Sequence, residues 1–176
     1  MTRFLVAPRI ETARLVLREL RADDFDAVHR LWTDPENVRF VGGKPSTPSQ
    51  SWRRVINSAG MWPILNYGYW ALDETESDQF IGLVGFADFK RDEPAGFSGD
   101  PEIGYVIDKR VHGRGYGREA MTACMDWMDR NHPGRRTICM IEPENIASLK
   151  LAERLGYQIY REDDFEGVPV LLLECI

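Results

Sequence analysis

Between Glu102 and Met121 the chain reads EIGYVIDKRVHGRGYGREAM, a stretch that concentrates groups able to hold a polyphosphate. An apolar strand (Ile103, Tyr105, Val106, Ile107) leads through a basic turn into glycines at every second position, Gly113, Gly115 and Gly117, and an amphipathic helix follows. Backbone that turns on glycines into a helix N-terminus aims several N–H groups at one point, and the helix dipole adds positive potential there. Lys109, Arg110, Arg114 and Arg118 crowd the same stretch, although the whole chain, with 22 basic and 28 acidic residues, carries a net charge of −6. The positive charge is thus local. General nucleic-acid binding is disfavoured, and a polyphosphate-bearing small molecule is the expected ligand.

Spacing excludes the two common nucleotide loops. The third glycine comes one residue early for the dinucleotide fingerprint, and no acidic residue ends a following strand at the required distance. No Gly-Lys-Ser/Thr follows, so the turn is not a P-loop. A glycine-rich strand-to-helix turn without a ligand remains open on the motif alone. Cys124, Cys139 and Cys175 sit singly in apolar stretches without metal-ligand spacing, and His29, His112 and His132 are scattered, so no metal is expected.

The elements that must position this turn follow from periodicity. Ala13–Leu20 alternates as a strand. Ala22–Asp34 carries Phe25, Val28, Leu31 and Trp32 at helical spacing behind Asp23–Asp24. Thr47-Pro48-Ser49-Gln50 is a capping box with proline at the first helical position, predicting a helix through Trp52, Val55, Ile56 and Ala59 that stops before Pro63. Tyr67–Asp73 and Phe80–Phe89 read as an antiparallel hairpin around an acidic turn. Asp92–Pro101 reads as a Gly/Pro loop. The helix of residues 115–131 joins the strand of residues 103–107 to one at 136–141, a crossover that predicts a parallel pair. Asn145–Leu155 reads as a helix ended by Gly156, and Tyr157–Arg161 and Val168–Ile176 as two final strands.

The expected class is α+β: one mixed, mostly antiparallel sheet of about seven strands flanked by four helices, in the order β-α-α-β-β-β-α-β-α-β-β, within a single domain over residues 1–176. Hydrophobic residues make up 43% and charged residues 28% of the chain, as in soluble globular proteins. No apolar run approaches signal or membrane-spanning length, so a cytoplasmic protein with no membrane partner is expected.

The residues now in view resemble the GNAT superfamily of acyl-CoA-dependent N-acetyltransferases. His112-Gly113-Arg114-Gly115-Tyr116-Gly117 is similar to that family's coenzyme signature, Gln/Arg-x-x-Gly-x-Gly/Ala, with His112 in place of its first residue. Asn145-Ile146-Ala147-Ser148 followed by Glu153-Arg154-Leu155-Gly156-Tyr157 resembles its second motif, Asn-x-x-Ser/Ala then Glu-Lys-x-Gly-Phe. The opening IETARLVLREL and the variant GYGREAM look most like the branch of ribosomal-protein alanine and serine N-acetyltransferases.

The resemblance implies a reaction and assigns residues to it. Acetyl-CoA is the expected cosubstrate, its pyrophosphate on the amides of residues 113–118, with Arg114 and Arg118 adding charge-assisted contacts, and with His112 and Asn145 completing the coenzyme site. The pantetheine arm is expected along the backbone at Val106–Ile107, where an N–H would stabilise developing oxyanion charge. Glu102 stands near the position that supplies a base in some members; an exposed strand-end carboxylate is the competing assignment. Ala152 occupies the position of the tyrosine that often protonates the leaving thiolate. Ser148 stands where some ribosomal-branch members use a serine near the thiol, against a simpler role in the first turn of its helix behind the Asn145 cap. Trp32, Tyr67 and Trp70 fall where acceptors bind in this fold, although core packing explains most of the aromatics there. The expected partners are a coenzyme A derivative and an amine acceptor, with no nucleic acid. The chain is expected to be a monomer or a homodimer, the latter through the apolar run of residues 168–176. The competing function is a catalytically inactive coenzyme-A-binding sensor or partner module; a noncatalytic nucleotide-phosphate binder is disfavoured by the second motif.

Overall fold

The computed structural model describes residues 3–92, 94, 97 and 99–176; the Asp92–Pro101 loop thus includes positions 93, 95, 96 and 98, outside the described residues. The elements run β1 (Ile10–Glu11), β2 (Leu15–Arg18), a 3₁₀ turn (Ala22–Asp24), α1 (Phe25–Thr33), α2 (Pro35–Val38), α3 (Pro48–Leu65), β3 (Tyr69–Glu74), β4 (Gln79–Ala87), β5 (Glu102–Ile107), a second 3₁₀ turn (Lys109–Val111), α4 (Tyr116–Asn131), β6 (Thr137–Ile141), α5 (Ile146–Arg154), β7 (Gln158–Phe165) and β8 (Val168–Cys175). The expected order holds, with two additions: the two-residue β1 and the single turn α2. One sheet of eight strands, β1-β2-β3-β4-β5-β6-β8-β7, is antiparallel except between β5 and β6.

Strand alternation sends side chains to two helical layers. Leu15, Leu17, Trp70, Leu72, Ile103 and Ile107 pack with α4 through Ala120, Met121, Cys124 and Met128, and with Ala152 of α5. Leu20, Ala71, Leu83 and Val106 pack on the opposite face with Val28, Leu31 and Trp32 of α1 and Val55 of α3. Trp62, near the end of α3, joins the first cluster and meets Trp70 at 4.6 Å and Trp127 at 5.3 Å, edge to face.

Helix α3 differs from its sequence pattern in phase and length. The Thr47–Gln50 capping box forms as read, but the buried face is Ser51, Val55, Ser58 and Trp62, while Trp52 and Ile56 are exposed. Two buried serines hide that phase from an apolar count; Ser51 Oγ lies 2.9 Å from His29 Nδ1, which makes its burial tolerable. The helix also passes through Pro63 and ends at Asn66, whose left-handed backbone donates to the Trp62 carbonyl. Proline in the last turn removes one hydrogen bond, to the carbonyl of Ala59, which is exposed and open to water.

The C-terminal strands also differ from expectation. Val168–Cys175 is not an edge: β6 flanks it on one side and β7 on the other, and Leu172 and Leu173 are buried. The apolar run is therefore covered within the chain and gives no ground for dimerisation. The edge is β7, whose Arg161, Glu162, Asp163 and Asp164 make it a poor template for another strand. No helix among the described residues is long and apolar enough to cross a membrane.

A charged network ties the first strands to the first helical turn. Arg18 on β2 donates to both oxygens of Asp24 at 2.8 Å and bridges to Asp73 on β3. Burial opposes the Asp24 carboxylate, yet Arg18 and the Arg21 N–H hold its pKa below the ordinary value of 3.8. Its stabilising contribution is present above that value and is lost as pH falls through the lowered folded one. Replacing Arg18 with Met leaves two carboxylates uncompensated and is expected to cost about 3 kcal/mol. Urea denaturation at neutral pH should show this as a lowered midpoint at unchanged slope, and the deficit should shrink in acid as the carboxyls take up protons.

Candidate active site

The parallel pair β5/β6 is joined at one position, Glu102 opposite Ile138. Backbone polar groups alternate along a strand, and two hydrogen bonds fix their phase: Asp108 N–H to Ile81 O on the β4 side, and Ile138 N–H to Pro101 O on the β6 side. Ile103, Tyr105 and Ile107 therefore turn their N–H and C=O groups toward β6, which forms no ladder with them past Glu102. Of Val106 and Ile107, Val106 turns its backbone into the β4 ladder and Ile107 turns toward the gap. The Ile107 carbonyl is taken by His112, whose Nε2 lies 2.8 Å away and must carry the proton.

Beyond His112 the glycine turn leads into α4. Gly113 and Gly115 adopt φ of 77° and 81°, and Gly115 is the N-cap of α4, left-handed and without a side chain to cap the helix. The first helical bond runs from Glu119 N–H to Gly115 O, so the amides of Tyr116, Gly117 and Arg118 have no partner within the helix. Their positive potential is held in place from the sheet side. Arg14 donates to Arg114 O at 2.9 Å and to Glu119 at 2.8 Å, and its guanidinium stacks on the Tyr116 ring. The Tyr116 hydroxyl donates to Glu74 Oε1 at 2.6 Å. Hydroxyls of Ser77 and Tyr116 hold the Glu74 carboxyl below its ordinary range.

The basic residues of the turn are mostly committed. Lys109 pairs with Asp34, Arg110 with Asp108 and Arg114 with Glu74. The overlooked helix α2 adds Asn37, whose Oδ1 accepts from Lys109 N–H. Arg118 has no ion pair among the described residues and lines a cavity of about 380 Å³ between α4 and α5, with Thr122 and Arg154.

Asn145 caps α5 as its type predicts, its Oδ1 accepting from Ser148 N–H at 3.2 Å. Ser148 stands in the first turn beside Tyr105 of β5. The Tyr105 hydroxyl is buried without a well-formed hydrogen bond; burial pushes it up to about 12, and the Ser148 hydroxyl eases that shift. Glu102 turns to the other face, where Arg91 engages both its oxygens at 2.9 and 3.0 Å. Tyr69 lies on that face as well, its hydroxyl over Gly104; burial foremost, then the Glu102 charge, raises its pKa.

The aromatics named from the sequence are scattered. Trp70 is wholly enclosed in the α4/α5 core, with Nε1 donating to Pro8 O. Tyr67 is 2% exposed against His132 and Arg135. Only Trp32 lies on the Glu102 face, beneath the guanidinium of Arg54. Arg91, Arg54 and the Tyr105 hydroxyl were not singled out from sequence. Arg91 and Arg54 come from a loop and a distant helix and carry no local signal.

Comparison with known proteins bears on this geometry. The family profile described as an acetyltransferase (GNAT) domain matches residues 14–158. The N-acetyltransferase p20 of Bacillus licheniformis, itself uncharacterised, is 29% identical over 150 residues, covering 84% of this chain and 80% of its own. A structure described as a GnaT-family acetyltransferase from Bordetella pertussis superposes with a TM-score of 0.85 at 32% identity, over 96% of this chain and 99% of that one. RimL, a ribosomal L7/L12 alpha-N-protein acetyltransferase solved in complex with coenzyme A, shares the fold with a TM-score of 0.77 at 16% identity, over 96% and 98% of the two chains.

Gly104 marks how closely β3 approaches this site. A Cβ there would stand 2.2 Å from the Tyr69 hydroxyl oxygen but 3.4 Å from the ring carbon bearing it. Gly104→Ala is expected to destabilise the protein by about 2 kcal/mol through overpacking. Adding Tyr69→Phe should recover most of that loss, a coupling that a double-mutant denaturation cycle reads directly.

Proposed function

The chain belongs to the GNAT family of acetyl-CoA-dependent acetyltransferases, and on that premise we propose that it transfers an acetyl group to a primary amine, a protein N-terminal amine or a small-molecule amine, by direct attack within a ternary complex. The observation that carries this reading is the β5/β6 gap opening beside an uncapped helix N-terminus. A strand edge with free N–H and C=O groups suits an amide-bearing arm, which can pair with it as an added strand would. Three free helical amides suit a diphosphate. These two donor sets adjoin through Ile107 and His112, as one extended ligand with a phosphate end and an amide-rich arm requires.

Acetyl-CoA, when bound, supplies an activated acyl carbonyl and a good thiolate leaving group. The Ile107 N–H, and that of Tyr105, can donate to the carbonyl oxygen as charge builds on it, a contact typically worth ~3 kcal/mol. The attacking amine must be neutral, and Glu102 at the closed end of the gap is the carboxylate proposed to receive its proton, directly or through water. Arg91 engages both Glu102 oxygens, so one of those contacts must yield when the carboxylate takes up the amine proton. Ser148, with the Tyr105 hydroxyl beside it, is proposed to protonate the departing thiolate; these hydroxyls offer a proton where Ala152 cannot. Arg118 is the cation still available to the phosphates, while Arg114 serves chiefly to hold the turn. Nothing on this face speaks for a noncatalytic module.

Calorimetric titration should find acetyl-CoA bound and ATP not bound, and thiol release should depend on added amine; binding without release from any amine would remove the catalytic reading. Ser148→Ala should lower kcat by about a hundredfold with little change in the acetyl-CoA Kd, and unchanged turnover would confine Ser148 to capping. Glu102→Gln should depress kcat more at low pH than at high pH. A wild-type pH profile would leave Glu102 only as the partner of Arg91.

A further inference from the structure

Arg54 is anomalous among the half-buried cations of this protein. Arg18, Arg91 and Arg136 each meet a carboxylate, whereas Arg54 forms no ion pair among the described residues and its Nε is buried without a hydrogen-bond partner. Its guanidinium lies 3.5 Å from the centre of the Trp32 ring. An aromatic face compensates a desolvated cation only in part, and burial accordingly lowers the Arg54 pKa, opposed only by Tyr69. A guanidinium without an anion is an incomplete arrangement, because its planar fork is built to pair with a carboxylate.

Trp32, on which Arg54 stacks, lies in one packed cluster with Val106 and Tyr69, and the Tyr69 hydroxyl covers Gly104 of β5. Gly104 is two residues from Glu102, at the closed end of the β5/β6 gap and on the same face of the sheet. Glu102 is already neutralised by Arg91. Arg54, Arg91 and Glu102 together therefore carry one net positive charge beside the gap. A polycationic amine would meet repulsion there, and an amine bearing an anion would complete the unpaired guanidinium.

Resting on the acetyl-transfer reading, we propose that the acceptor is an amine that carries a carboxylate, and that Arg54 binds that carboxylate and sets specificity for it. A free amino acid and a peptide with an acidic side chain near its N-terminus both present this chemistry.

The test measures thiol release from acetyl-CoA by the full chain with matched acceptors: β-alanine against β-alaninamide, an N-terminal peptide with Glu against its Gln counterpart, and spermidine, each compared per neutral amine. The wild type should favour at least one carboxylate form over its carboxamide by about tenfold or more. Whether the amino acid or the peptide shows the preference identifies the source of the carboxylate. Arg54→Met should bring the preferred pair to within about threefold of each other, while Arg54→Lys retains part of the preference. Acetyl-CoA affinity should be unchanged in both variants, which reports that they fold. A wild type that prefers carboxamides or spermidine overturns the proposal, as does a preference that survives Arg54→Met with acetyl-CoA binding intact. If either variant fails to bind acetyl-CoA, the wild-type matched pairs decide alone. Thiol release from no amine at all would overturn the acetyl-transfer reading and the acceptor proposal with it.

Discussion

One backbone pairing governs this protein: β5 and β6 run parallel and meet only at Glu102 and Ile138. The crossover through α4 makes the pair parallel, and the strands part immediately beyond it. An interior sheet position with unpaired N–H and C=O groups is costly unless something fills it. Here the molecule satisfies one group itself, through His112 on the Ile107 carbonyl, and leaves the neighbouring ones facing an open gap. The glycine turn, the start of α4, Ser148 and Glu102 take their positions from that divergence. Tyr105 and Ser148 meet on one side of β5, and Glu102, Tyr69 and Arg54 lie on the other.

Charge is distributed on a similar logic. The basic residues around the glycines look in sequence like the phosphate site itself, yet Lys109, Arg110 and Arg114 are spent on Asp34, Asp108 and Glu74. What remains for a phosphate is backbone: three amides whose orientation is rigid and whose cost of ordering is met during folding. Arg14, stacked on Tyr116 and bonded to the Arg114 carbonyl, holds that backbone from the sheet. Arg118, at the start of α4, and Arg54, stacked on Trp32, form no ion pair among the described residues, so their charge is still available to a ligand.

Much of the architecture was legible because its signals are local. The Thr47 capping box, the Asn145 cap and the left-handed Gly156 depend on residues within one turn and form as read. The parallel crossover was legible from a strand, a helix and a strand in succession. Misread features were those in which a neighbour distant in sequence changes the meaning of a residue. The phase of α3 turned on Ser51 meeting His29, Pro63 was tolerated because Ala59 faces water, and the apolar C-terminal run was covered by β6 and β7 rather than by another chain.

By itself the sequence determined the fold class, the glycine turn and the family, because period, capping and glycine spacing act over a few residues and survive in any context. Tertiary structure alone decided which backbone groups of β5 face the gap, which arginines are neutralised and which side chains line each face of the strand. Those outcomes depend on pairings between residues tens of positions apart, such as Arg14 with Glu119 or Arg114 with Glu74. A charge read along the chain has no partner until the fold supplies one, so the glycine motif could be recognised from the sequence while the placement of Arg54 beside Trp32 and Tyr69 emerged only from the packing of α1 and α3 on the sheet.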